Sequence, residues 1–249
     1  MDNYNSQQFS DYTVIESGAR AVPKKFMANV FMWMFAALAI SAVFAYLFAT
    51  TPSLLSLLVV ETSRGYSLSG LGMITMFAPI GFVLLMSFGY SRLSSSALTV
   101  LFILYAAITG ISFSFILLQY VGSSVIGCFA SASAMFGIMA FMGYTTDKDL
   151  TSFGRIMTMG LIGIIVAMII NMFLGSAMMD YLISVIGVAV FTGLTAYDVQ
   201  KLKRIGEGIS MDGTAIEETK KISILGALTL YLDFINLFLF LLRLFGRRK

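Results

Sequence analysis

The chain has 249 residues, 58% of them hydrophobic and 12% charged, with a mean hydropathy of +0.89; soluble domains carry about 25% charged residues, so a water-soluble globular fold is excluded. It contains no histidine, which removes histidine-ligated metal centres, Ser-His nucleophilic chemistry and histidine pH switches, and leaves carboxylates as the proton-sensing groups of a membrane interior. The net charge of +3 gives no basis for a nucleic-acid partner, and the lone cysteine, Cys128, reads as a small buried hydrophobe with no disulfide open to it.

At about 20 residues per spanning helix, the chain accommodates seven spans and little else, so a single membrane domain over residues 26–246 is expected in the lipid bilayer. Residues 1–25 are polar, of mixed charge and without helical periodicity, and read as a disordered tail. The first span is expected at 26–50. An apolar patch at 54–60 is too short to cross and reads as interfacial or as a continuation of a bent helix. The remaining spans fall at 71–90, with Pro79 inside as a kink, then 97–119, 125–144, 156–175, 181–200 and 222–242. Gly127 with Ser131, and Ser133 with Gly137, place small residues four apart, the spacing that lets helices approach closely in lipid. No internal repeat is visible, which argues against an inverted-repeat transporter.

Lysine and arginine set the orientation. With seven crossings, one side collects Arg20, Lys24, Lys25, Arg92, Lys148, Arg155 and the cluster from Lys201 to Lys221, while the other holds Arg64 and the carboxy-terminal Arg243, Arg247, Arg248 and Lys249. The richer side is cytoplasmic, and the amino terminus with it. The terminal RRK is the cluster that violates the pattern. A re-entrant last segment would remove the violation, but 222–242 is a full-length apolar run, and seven crossings are preferred.

Two apolar runs, GLTAYDVQKLKR at 193–204 and LTLYLDFINLFLFLLRLFG at 228–246, each carry one aspartate, Asp198 and Asp233. A charged residue at the centre of a span costs about 2.5–3.5 kcal/mol on insertion scales. Asp233 lies about 16 Å along the last span, near the middle of the hydrocarbon. At 100° per residue Gly226, Thr229 and Asn236 share its face, and Ser184, Gly187 and Thr195 share that of Asp198. Such stripes face the bundle interior or water. The sixth and seventh spans are antiparallel neighbours, so their stripes are placed to face one another, and two adjacent carboxylates cannot both ionise cheaply: they share one proton. A proton-operated latch follows, with each aspartate simply satisfying a buried polar neighbour as the structural alternative. Arg92, beside the second span, is the candidate counter-ion. Carboxylate oxygens suit hard cations, and the absence of a multi-ligand cage points to weak, transient metal contact at Asp198 and Asp233 and to no tightly bound cofactor.

AYDVQ at 196–200, LYLDFINLFLFLLRLFG at 230–246 and, in support, TGIS at 109–112 resemble the Bax inhibitor-1 family, in its bacterial YccA-like branch. The resemblance covers roughly residues 26–246. It implies an all-α, seven-transmembrane-helix bundle with the last helix central, in the bacterial inner membrane. It further implies a pH-sensitive calcium leak gated by a di-aspartyl pair at Asp198 and Asp233, with calcium as the permeant ion. It also implies a membrane-bound AAA protease as a partner reached through residues 1–25.

Two other classes compete. Intramembrane aspartyl proteases also place one aspartate on each of two helices, and Tyr197-Asp198 fits their first motif; Leu230-Tyr231-Leu232 before Asp233 does not fit the Gly-x-Gly of the second, and no proline follows Pro79. No enzyme is expected. A non-transporting regulator that binds other membrane proteins is the alternative to a channel.

Overall fold

The computed structural model describes residues 23–60, 67–209 and 215–249 in full, and the backbone course alone of 3–22, 61–62, 65–66 and 210–212. Eight helices and one hairpin follow in order: α1 (Asn3–Thr50), α2 (Pro52–Leu58), β1 (Val59–Thr62), β2 (Gly65–Leu68), α3 (Gly70–Gly89), α4 (Ser95–Gln119), α5 (Gly122–Thr145), α6 (Thr151–Leu174), α7 (Ala177–Asp212) and α8 (Ile216–Phe245). Seven are long and apolar enough to cross a membrane, the first of them from Pro23 to Thr50. The protein is therefore an all-α multi-pass membrane protein. Most of the expected tail, up to residue 22, lies outside the fully described residues.

The helix ends carry the chemistry that short turns between spans require. Ser69 accepts a hydrogen bond from the Gly72 amide at 3.0 Å to start α3, and Ser94 one from Ala97 at 3.2 Å to start α4. Gly175 closes α6 at φ 61°, a left-handed conformation that glycine adopts without a Cβ clash. Asn171 then holds the turn into α7, its amide donating to the Ser176 carbonyl and to Asp180 Oδ1. The patch at 54–60 is neither a bent helix nor a bare interfacial segment: it splits into α2 and the first strand of an antiparallel hairpin, with Val59 paired to Leu68 and Val60 to Ser67.

The last helix is the hub. In α8 72% of the apolar window is buried, against 39% or less in every other span, and α1, α4, α5 and α7 pack around it. By contrast α6 rests on α7 and α3 on α4, each with 11% of its window buried. Helix α8 runs unbroken from Ile216 to Phe245, long enough to cross and without the turn a re-entrant segment needs. Its end is pinned to the α4–α5 turn: the Val121 amide donates to the Arg247 carbonyl at 2.9 Å, the Lys249 amide to Gln119 at 3.0 Å, and Lys249 Nζ to the Leu117 carbonyl. The cations that break the charge pattern thus lie at the carboxyl end of α4, where the helix dipole favours positive charge, and Arg248 stacks over the Tyr120 ring.

Close approach comes from glycines other than the Gly127 and Gly137 pairs. A Cβ at Gly110 would lie 2.4 Å from the Ser41 carbonyl oxygen, and one at Gly143 would lie 2.2 Å from that of Ala196, so α1 meets α4 and α5 meets α7 backbone to backbone. Nothing lies within 4 Å of a Cβ at Gly127 or Gly137; the small residues of α5 make no helix contact there. Cys128 is buried, as its surroundings in sequence imply, with its thiol toward the Leu241 carbonyl.

Candidate functional site: an intramembrane di-aspartate

Asp198 sits two-thirds of the way along α7 and Asp233 near the middle of α8. Helices α7 and α8 pack extensively as antiparallel neighbours, which brings the two carboxylates to the wall of one cavity. The connection does not hold them apart, because Lys201 to Asp212 continues α7 and Ile216 already begins α8; what looks like a long loop in sequence is helix. Asp233 is 4% exposed, and its Oδ2 has no hydrogen-bond partner. An orphaned buried carboxylate oxygen is expensive unless a proton, a cation or water meets it.

Both aspartates line a cavity of about 490 Å³ between α6, α7 and α8. Thr229 and Asn236 join Asp233 on its α8 wall, as their spacing predicts, while Thr158, Tyr197 and Lys201 complete the polar lining. The Asn236 amide donates to the Leu232 carbonyl at 2.8 Å and the Thr229 hydroxyl to Leu225 at 3.1 Å, both within their own helix. Thr195 is not part of this lining: it is fully buried and donates to the Phe191 carbonyl. Gly226 likewise turns from the cavity to pack under Leu202.

Arg92 is not brought to the pair. It lies exposed in the α3–α4 turn, outside the cavity, and the cation facing Asp198 is Lys201, one turn further along α7. The spacing of three residues on one helix was the available signal for Lys201.

The surrounding residues hold Asp198 in place. The Tyr197 ring packs flat on Gly154 of α6, where a Cβ would lie 2.3 Å from Cδ2. Gln200 bridges α7 to the α5–α6 loop, accepting from the Leu150 amide at 2.9 Å and donating to the Lys148 carbonyl at 2.7 Å. In the same loop Asp149 is paired with Arg204 at 2.9 Å, and hydrogen bonds from Thr151 with that guanidinium hold its carboxyl down at about 2. Phe240 also lines the cavity, its ring against Phe191 and seated on Gly187.

On the opposite side of α8 a second polar group is fully satisfied by protein. Ser41 donates to the Ala106 carbonyl at 2.7 Å and shares a 2.7 Å hydrogen bond with the Tyr231 hydroxyl, tying α1, α4 and α8 together. The start of α8 clasps the α3–α4 turn: Tyr90 donates to Glu218, and the Ser95 amide donates to Glu217 at 2.9 Å.

Two carboxylates on one cavity inside a helical bundle, Asp233 buried and Asp198 half-buried, define the class: a polytopic membrane protein with acidic groups within its spans. Among the described residues no third acidic or thiol ligand joins them. Residues 23–249 match the family model described as inhibitor of apoptosis-promoting Bax1. The chain is 44% identical to the inner membrane protein YbhL of Escherichia coli K12 over 92% of its own length and 94% of the relative's. It is 40% identical to a Borreliella burgdorferi protein over 92% and 94%, and 36% identical to a Streptococcus pyogenes membrane protein over 90% and 93%. The chain belongs to the Bax inhibitor-1 family.

Proposed function

We propose that this protein is a pH-sensitive cation leak of the bacterial inner membrane, with calcium as the preferred ion, and that Asp198 and Asp233 form its gate. The observation that carries this reading is the juxtaposition of the two carboxylates in one cavity, with the buried Asp233 Oδ2 left without a partner. With one proton between them, a carboxyl–carboxylate hydrogen bond holds α7 against α8. Without it, two negative charges in contact repel strongly in a low-dielectric setting and attract a hard cation. Two carboxylates with no further ligand bind such an ion weakly, as conduction requires.

In this reading the lysine and arginine distribution puts the amino terminus in the cytoplasm, with the Lys201 end of the cavity on that side and the Phe240 end toward the outside. No catalytic role is proposed for either aspartate. Calcium uptake by proteoliposomes containing the full chain, followed from about pH 5 to about pH 9, tests the reading: flux that rises as the pair loses its proton supports it. Folded protein that conducts at no pH would leave the regulator reading, in which partners such as a membrane-bound AAA protease bind residues 1–25 and the aspartates serve structure.

A further inference from the structure

Helices α1 and α5 both pack against α7 and α8 but leave a groove between themselves. Phe31, Phe35 and Ala42 of α1 form one wall, Phe129 and Gly137 of α5 the other, and Phe234 of α8 lies at the base. The groove is almost wholly apolar along its length; the Ser133 hydroxyl donates to the Phe129 carbonyl of its own helix. It lies within the spanning segments, so its surroundings are hydrocarbon. The volume of about 600 Å³ is in the range of ligand pockets, whereas a spanning helix about 30 Å long and 10 Å across occupies roughly 2,400 Å³. An unbranched hydrocarbon chain fits it and a whole helix does not.

One end of the groove is marked by charge. Tyr144 lines it there, and Lys203 of α7 lies over the Tyr144 ring at 5.4 Å from its centroid. Lys24 falls on the same face of α1 as Phe31 and Phe35, about two turns earlier. The backbone at Pro23 packs against Gly206, which brings the first residues of the α1 span alongside α7 one turn from Lys203. Neither lysine has an ion-pair partner among the described residues, and Asp147 on the adjoining loop is exposed and engages neither.

We propose that this groove is a lipid site: it holds one acyl chain of an anionic phospholipid whose phosphate sits between Lys24 and Lys203. Apolar walls bind the chain by contact, and two cations at the headgroup level favour a headgroup of net negative charge over one whose phosphate is balanced by its own cation. The site is separate from the di-aspartate cavity and does not depend on ion flux.

Native mass spectrometry of the full chain, released from detergent with added phosphatidylglycerol or with phosphatidylcholine of the same acyl chains, tests this. One phosphatidylglycerol per chain is expected to be retained, at least about fivefold over phosphatidylcholine. Gly137→Leu places its side chain in open space, and should lower retention of both lipids about fivefold or more; Ser133→Leu serves if that variant does not fold. Lys24→Gln with Lys203→Gln should abolish the preference while phosphatidylcholine retention stays. Equal retention of the two lipids by the wild type, or undiminished retention in the groove-filling variants, overturns the proposal. So does a wild-type dimer that Gly137→Leu turns into a monomer, which would make the groove an interface between copies.

Discussion

The Tyr197 ring lies directly on the Cα of Gly154, so close that any side chain at 154 would occupy the space of the ring. Tyr197 precedes Asp198, and this contact sets how far α6 stands from the acid pair. Gly154→Val must displace the ring or part the helices, and overpacking of this kind costs about 1–3 kcal/mol. Gly163→Val, where nothing lies within 4 Å, is the matched control. Thermal unfolding in detergent should show a lowered midpoint for the first and a near-native one for the second.

Phe240 lines the di-aspartate cavity, and a Cβ at Gly187 would lie 2.7 Å from its ring. Phe240→Ala removes a large buried side chain, at a cost of about 3 kcal/mol, and widens the cavity. If the cavity is the cation path, this variant should leak calcium severalfold faster than wild type at the pH where the wild type is closed. An unchanged flux in the folded variant would place the path elsewhere.

The Ser41–Tyr231 hydrogen bond ties α1 to α8 away from the acid pair. Tyr231→Phe deletes it while Ser41 keeps its bond to Ala106, so a loss of about 1 kcal/mol is expected. The pH dependence of flux should be unmoved, which separates scaffold from gate.

Burial and the neighbouring Glu218 raise the Tyr90 hydroxyl to about 12. A raised folded value means that the clasp's contribution to stability is complete below the ordinary tyrosine value of about 10. That contribution is lost as pH climbs through about 12. Ultraviolet difference titration of wild type against Tyr90→Phe should show one tyrosine ionising about two units late; a normal titration would mean the clasp is not closed in solution.

Much of this was legible in the sequence because the membrane makes local composition decisive. Seven apolar runs gave seven spans to within a few residues at most ends, and one polar residue per turn of α8 was enough to place Thr229, Asp233 and Asn236 on one wall. Features set by tertiary contact were not legible. The hairpin at Val59–Thr62 and Gly65–Leu68 has strands of four residues, too short for an alternation to stand out. The extension of α7 past the membrane is polar and resembles loop. Thr195 stands three residues before Asp198, about 60° from its direction at 100° per residue, and that offset turns it into the packed interior instead of the cavity. Gly143 carries a close helix contact without any small partner four residues away, whereas Gly137, which has Ser133 at that spacing, faces an open groove.

The most direct test of the acid-pair gate is the pH profile of calcium flux into proteoliposomes for wild type, Asp198→Asn and Asp233→Asn, measured on equal amounts of folded protein. An asparagine at either position cannot share a proton with the remaining aspartate or repel it when ionised. Both variants are therefore expected to lose the steep rise of flux with pH that the wild type shows, and the flattening should be the same whichever partner is replaced. A steep wild-type profile that survives intact in either variant would contradict the account.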